Sequence, residues 1–176
     1  MITIRQEEEK DHQNVFQLIE EAFKSMEHSD HQEQFLVERL RKSESFIPEL
    51  SLVAEIDKQI VGYILLTKIK IIENNSKVTS SLALAPLAVL KNFQGMGIGA
   101  GLIRKAHEVA KKLNYGSIIL LGHEKYYPKF GYKMIKNYGI KLPFDVPDEN
   151  CMLIELTDNA LENVQGMVEY PTEFYG

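Results

Sequence analysis

The segment Gln94-Gly95-Met96-Gly97-Ile98-Gly99-Ala100 lies between an apolar, strand-like stretch and an amphipathic helical one, and it limits this chain more than any other. Glycine lets the backbone turn tightly and lets an anion approach the main chain. A helix that starts there presents unpaired N–H groups and the positive end of its dipole. Together these make a phosphate cradle. A plain strand-to-helix turn needs fewer glycines than the three at alternate positions here. No Gly-Lys-Ser or Gly-Lys-Thr closes the run, which excludes a nucleoside triphosphatase loop.

The segments around it set the context. Ile2-Thr3-Ile4-Arg5 alternates like a short strand. Residues 11–23 are helical in pattern, with Val15, Leu18, Ile19, Ala22 and Phe23 on one face and Asp11 placed to cap the start. A polar loop holding His28-Ser29-Asp30-His31 leads to a second helix, whose apolar side is read as Phe35, Leu36, Val37 and Leu40, and Pro48 closes that unit. Residues 50–56 and 60–72 are apolar and β-branched around Asp57-Lys58-Gln59, a hairpin signal, and Asn74-Asn75-Ser76 is a second turn. Residues 78–90 form a third antiparallel strand, with Pro86 marking an edge or a bulge because proline cannot donate to a ladder. A helix over 99–113 buries Leu102, Ile103, Ala106, Val109, Ala110 and Leu113, exposes Arg104, Lys105 and Glu108, and ends at Gly116. Residues 117–121 are a strand, parallel to the previous one because a helix separates the two. A strand near 152–156 and an irregular tail complete the reading. The expected fold is α/β (α+β): a mixed, mostly antiparallel central sheet with helices, in one domain over residues 1–176.

Composition narrows the function. With 44% hydrophobic and 26% charged residues over 176, the chain is globular. A net charge of −5 argues against nucleic acid as partner. No apolar run reaches membrane-spanning length, and the charged start, Arg5 to Lys10, is not a signal peptide. The single cysteine, Cys151, reads as a small buried hydrophobe in a strand. The expectation is a cytoplasmic protein with no membrane partner. The two histidines near Asp30 lack further ligands, so no metal is expected.

Two phosphate-binding readings compete. Gly95, Gly97 and Ala100 fit the dinucleotide fingerprint, with Glu124 after the next strand. Against it, the glycines follow an antiparallel meander, and no helix–strand alternation continues past residue 121. The second reading is a resemblance. Leu87-Ala88-Val89, followed by Phe93-Gln94-Gly95-Met96-Gly97-Ile98-Gly99, resembles the acetyl-CoA signature of the GCN5-related N-acetyltransferases, with Gln94, Gly97 and Gly99 in its defining places. Tyr126-Tyr127-Pro128-Lys129-Phe130-Gly131-Tyr132 is similar to the family's Tyr-x-x-x-Gly-Phe element, with Tyr132 in place of phenylalanine. Leu142-Pro143-Phe144-Asp145-Val146-Pro147 resembles the YhbS-like bacterial subgroup.

The resemblance implies that the strand before the glycines is splayed from its parallel neighbour at a bulge, for which Pro86 supplies a physical reason, and that helices cover both faces. It implies acetyl-CoA as co-substrate. Main-chain groups of the Leu87-Ala88-Val89 strand hold pantetheine, and N–H groups of Gln94, Gly95, Met96, Gly97, Ile98, Gly99 and Ala100 hold the pyrophosphate. Tyr127 is then the general acid, the 28–31 loop lines the acceptor site, and a homodimer is expected by analogy. Many relatives carry a CoA-binding asparagine after the strand that ends at Leu121. Here the path from that strand to the tyrosine is short, Gly122-His123-Glu124-Lys125, and departs from the family's pattern.

The chemistry implied is transfer of an acetyl group to a small-molecule or peptide amine. Neutralising a lysine-like amine at pH 7 costs roughly 4.6 kcal/mol. Base candidates are His123, Glu124 and Glu55. A tyrosine near 10 protonates a thiolate near 8.5 uphill by roughly 2 kcal/mol in water. A non-catalytic acetyl-CoA sensor is the other reading of the same fold, and Tyr127 argues for chemistry.

Overall fold

The computed structural model describes residues 1–74 and 76–176; of the turn read at Asn74-Asn75-Ser76, Asn75 lies outside them. The framework is one mixed sheet. Strand β1 (Thr3–Gln6) pairs with β2 (Ser51–Ile56), β2 with β3 (Gln59–Glu73) and β3 with β4 (Lys77–Val89), all antiparallel. Strand β5 (Ser117–Leu121) runs parallel to β4, as the intervening helix requires. The sheet ends with β6 (Lys133–Met134) on β8 (Cys151–Glu155), itself antiparallel to β5. Two short strands absent from the sequence reading, β7 (Ile140–Lys141) and β9 (Gly166–Glu169), turn the tail into structure, with β9 on the far half of β3. The β2–β3 hairpin closes through Asp57 and Lys58, both at positive φ, the backbone that a two-residue hairpin turn requires.

Helix α3 (Ile98–Lys112) covers one face and α1 (His12–Phe23) with α2 (Glu33–Arg41) covers the other. Alternation along the strands explains this. Ile64, Leu66, Leu82, Leu84, Ile118 and Leu120 point to α3, while Tyr63 and Leu65 point to α1 and α2. Further along that second face Ile69, Ile71, Ala83 and Ile119 are covered by the C-terminal segment through Leu161, Val168 and Tyr170. Gly62 lets α3 sit close, since a Cβ there would lie 2.9 Å from Ile98 Cγ2.

Three local expectations need correction. Asp11 does not cap α1; its carboxylate accepts the Glu8 N–H at 2.8 Å and a forked pair of bonds from Arg5 at 2.7 and 3.0 Å. The guanidinium of Arg5 on β1 outcompetes the cap. On α2 the buried side is Gln34, Val37 and Leu40, while Phe35 is 40% exposed and packs edge-on to Phe16 at 5.3 Å. The α2 axis is rotated so that Phe35 meets α1 instead of the sheet. Helix α3 stops at Lys112, and Asn114 rather than Gly116 takes the left-handed conformation that ends it, at φ 67°.

Cys151 is buried, and burial pushes its thiol up. No helix among the described residues is long and apolar enough to cross a membrane.

Candidate active site

The bulge at Pro86 builds the site. Ile64 pairs with Leu87 and Leu66 with Leu84, so β4 carries one residue more than β3 between those pairs. The extra residue bends β4 and flips its alternation. Before it the even residues Leu82 and Leu84 face α3; after it the odd residues Leu87 and Val89 pack on that side and Ala88 joins the α1 face. The same kink ends the parallel ladder. Strands β4 and β5 pair only at Leu82–Ile118 and Ala83–Ile119, and beyond these they separate. Across the gap, the β4 edge through Leu87-Ala88-Val89 has no strand partner, because its other side is already paired to Ile64, Tyr63 and Gly62.

The glycine run stands at the end of that edge. Gly95 and Gly97 have φ of 80° and 81°, and a Cβ on either would meet nothing within 4 Å. Glycine is required there by backbone conformation and not by crowding. Gly97 is the N-terminal flanking residue of α3, and the helix ladder opens with Gly101 N–H to Gly97 C=O at 3.0 Å. The N–H groups before it are those that a helix start leaves free, and Gln94 to Gly97 lie exposed. Ile98 is buried and anchors the run, while Met96 stands out in solvent. Gln94 Nε2 donates to Val89 C=O at 3.3 Å, tying the run to the strand edge.

Beyond β5 an aromatic knot closes the other bank of the gap. The backbone of 123–127 is a turn held by Tyr126 N–H to His123 C=O at 3.1 Å. Tyr127 packs edge-on to Tyr126 at 5.1 Å and to Tyr132 at 5.7 Å. Burial, with a small contribution from Tyr126, holds the Tyr127 phenol above its ordinary range. Buried Tyr132, raised by burial and by Tyr127, bonds His107 Nε2 at 2.9 Å. Burial lowers His107 to about 4, so it is neutral at pH 7. The Tyr126 hydroxyl lies over the start of α3, 2.7 Å from a Cβ built on Gly99. Lys129 Nζ sits 4.2 Å from the Tyr126 ring, and Arg104 lies over Phe130 at 5.5 Å.

A family model for the acetyltransferase (GNAT) family matches residues 12–132. The chain belongs to the GNAT acetyltransferase family. Among the relatives, the N-acetyltransferase YjhQ of Escherichia coli K12 is 35% identical over 125 residues, 68% of this chain and 67% of that one. The N-acetyltransferase YhbS of the same organism is 26% identical over 71% of this chain and 74% of its own length. The crystal structure of Escherichia coli YhbS in complex with CoA superposes with a TM-score of 0.89 at 25% identity, covering 99% of this chain and 92% of that one. A GNAT acetyltransferase from Brucella melitensis in complex with acetyl-CoA gives 0.81 at 28% identity, covering 99% and 98%. The mixed, mostly antiparallel sheet, with β4 and β5 parallel and helices on both faces, is thus the GNAT fold, and the dinucleotide alternative falls.

Within this GNAT chain, the residues singled out in the sequence fall into two groups. Leu87 to Val89, Gln94 to Ala100 and Tyr127 all border the gap between β4 and β5 or the helix start beside it. His123 and Glu124 lie on the exposed turn, and His123 Nδ1 accepts the Lys125 N–H at 3.2 Å. Glu55 stands away from the gap, bonded to Arg5 at 3.1 Å on the opposite margin of the sheet. The 28–31 loop is an exposed turn with its own bonds: Ser29 donates to Glu33, and Asp30 accepts the Gln32 N–H at 2.9 Å. Among the described residues, no group of three or more His, Cys, Asp or Glu side chains is arranged to hold a metal.

Sequence reasoning missed two parts. Gly122 is the first: a methyl group there would overlap the Tyr127 ring, so this glycine gives Tyr127 its seat. The second is a cavity of about 340 Å³ at the fork of β4 and β5, floored by Ala83 and Ile119. Its walls are Leu36 of α2, Phe144 and Val146 of the 142–147 segment, and Tyr170 and Phe174 near the C-terminus. The alternation Leu142, Phe144, Val146 inward against exposed Pro143, Asp145, Pro147 was the available signal.

Proposed function

We propose that residues 1–176 act as one cytoplasmic N-acetyltransferase domain, which moves an acetyl group from acetyl-CoA to an amine by direct attack. The observation that carries the reading is the β4 bulge. One extra residue frees a strand edge, opens the parallel pair and aims both at a helix start with exposed N–H groups. The chain's groups fit the donor. The free edge at Leu87 and Val89 offers main-chain donors and acceptors to the amides of pantetheine. Gln94 to Ala100 offer N–H groups and the helix dipole to a pyrophosphate. The two solved GNAT relatives bind CoA and acetyl-CoA. The donor supplies a thioester carbonyl; the rest is positioning and charge stabilisation by this chain.

A main-chain N–H on the β4 edge faces the developing oxyanion. Tyr127 faces the departing sulfur. Because burial raises its phenol, Tyr127 is protonated at pH 7 and its phenolate is disfavoured. Full proton transfer to a thiolate is therefore costlier than in water. Tyr127 serves best as a hydrogen-bond donor that stabilises the thiolate. No acid or base other than the Tyr170 phenol lines the cavity, so the acceptor amine enters neutral, drawn from solution. As the C–N bond forms and the C–S bond breaks, the proton shed by the attacking nitrogen passes, directly or through solvent, to the departing thiolate, and His123 and Glu124 need take none.

Calorimetric titration with acetyl-CoA, with NADH and NADPH as controls, tests the donor. Saturable acetyl-CoA binding with neither nicotinamide bound is expected; the opposite pattern would overturn the reading. A Tyr127→Phe variant with full turnover would favour a sensor that only binds the donor.

A further inference from the structure

We infer that the acceptor is a primary amine carrying an aromatic or branched aliphatic body, which enters the cavity at the β4–β5 fork; this rests on the acetyl-transfer reading above. Three observations carry it. The first is the lining. The walls are Leu36, Phe144, Val146, Tyr170 and Phe174, and no Asp, Glu, Lys, Arg or His side chain contributes to them. Any primary amine must enter neutral, but a polyamine still carries its other ammonium groups, and burying a charge without a partner costs several kcal/mol. The cavity offers no carboxylate to offset that cost.

The second is size. At the ~30 Å³ that one molecule occupies in liquid water, 340 Å³ holds about eleven heavy atoms. An acetyl group alone leaves most of that space empty. Alanines at 83 and 85, where larger residues would fill the fork, keep it open.

The third is rigidity. Phe144, Tyr170 and Phe174 form a series of tilted and edge-on ring contacts with centroids 4.8 and 5.1 Å apart. Arg39 Nε donates to Glu173 C=O at 3.0 Å and fastens α2 to the C-terminal turn. The wall is therefore built before any ligand arrives, and rings held edge-on select another ring or a branched chain. Charged groups nearby, such as Asp145 and Glu173, lie outside the lining.

The test uses 2-phenylethylamine as the apolar probe and spermidine as the polycation. The CoA-loaded protein is titrated with each by calorimetry, and kcat/KM is measured for each with acetyl-CoA. Phenylethylamine is expected to bind at least tenfold more tightly and to react at least tenfold faster. Val146→Trp fills the cavity. It should raise the phenylethylamine KM about tenfold, leave spermidine within twofold and leave acetyl-CoA affinity unchanged. Leu36→Asp, on a half-exposed position, puts a carboxylate in the wall and should narrow the ratio. Tighter binding of spermidine, binding of neither amine, or equal loss for both in Val146→Trp would overturn the inference. So would a Val146→Trp effect confined to the choice between butyryl- and acetyl-CoA, which would give the cavity to the acyl group. Failure to bind acetyl-CoA is a separate result: it sinks the acetyl-transfer reading, while the amine titrations still report on the cavity.

Discussion

The two banks of the β4–β5 gap are made of different material. The bank proposed for the donor, from Leu87 to Ala100, offers main-chain groups: a strand edge freed by a bulge, two glycines at positive φ, and a helix start. The bank proposed for the acceptor is built from side chains brought from α2, the 142–147 segment and the C-terminal turn. Changes in backbone conformation should therefore damage the first, and changes in side-chain size or charge the second. The sharpest attempt to break this contrast is Gly97→Val. At φ 81° a branched residue is strained, yet a Cβ there meets nothing within 4 Å. The loop must leave its conformation while the core is untouched. Acetyl-CoA affinity should fall about 100-fold with Tm nearly constant. Gly62→Val is the converse control, because its Cβ would crowd Ile98 and Leu102 in the core. That variant should lower Tm. If both behave alike, the donor bank is not a backbone device.

Tyr127 stands where the banks meet. Removing its hydroxyl in Tyr127→Phe should lower kcat by about 10- to 100-fold, the worth of one hydrogen bond to a charged group, and leave the donor KM unchanged. Gly122→Ala approaches the same atom from behind. The added methyl displaces the Tyr127 ring, so kcat should fall about tenfold. In the double variant the two losses should not add, since a misplaced ring loses little more when its hydroxyl goes. Additive losses would mean that Gly122 acts on something other than Tyr127.

The same contrast explains what was legible in the sequence. Glycine and proline announce backbone geometry by themselves, so the glycine turn into α3, the bulge at Pro86 and the parallel order of β4 and β5 were readable from neighbouring residues. The strand Ser117–Leu121 fell where the pattern placed it. The acceptor cavity unites positions 36, 83, 119, 146, 170 and 174, and nothing local to any of them reports the others. The tail looked irregular because β9 is only 4 residues long; such a strand is stabilised by its partners and leaves little periodicity. Asp11 misled for a related reason: its partner Arg5 lies in another element.

Behind Tyr127, the His107–Tyr132 pair gives the donor side a signature in stability. Burial holds His107 at about 4 in the folded chain, against about 6.5 unfolded. Between those values the unfolded state binds more protons, so stability rises with pH across that window. The contribution is fully present above pH 6.5 and is lost as pH falls toward 4. Allowing for partial exposure, it is about 1–2 kcal/mol. His107→Gln keeps a bonding partner for the Tyr132 hydroxyl and removes the titration. Tm of the variant should therefore change less between pH 6.5 and 4 than Tm of the parent.

The smallest effect expected is at His123. Its ring is exposed, its Nδ1 accepts the Lys125 N–H, and it is not part of the cavity lining. A base that worked from this turn would impose an acidic limb on the rate near its own pKa, then a plateau. An apolar acceptor bank that takes the amine neutral imposes something else. The reactive fraction grows tenfold per pH unit until the amine's own pKa, about 10.4 for a lysine-like group. Between pH 7 and 9, log kcat/KM should rise with a slope near one, and His123→Ala and Glu124→Gln should track the parent within twofold. A plateau near neutrality that disappears in His123→Ala would put the proton on that turn. The acceptor bank would then need a charged group to do chemistry, and the division between a backbone bank and an apolar side-chain bank would no longer hold.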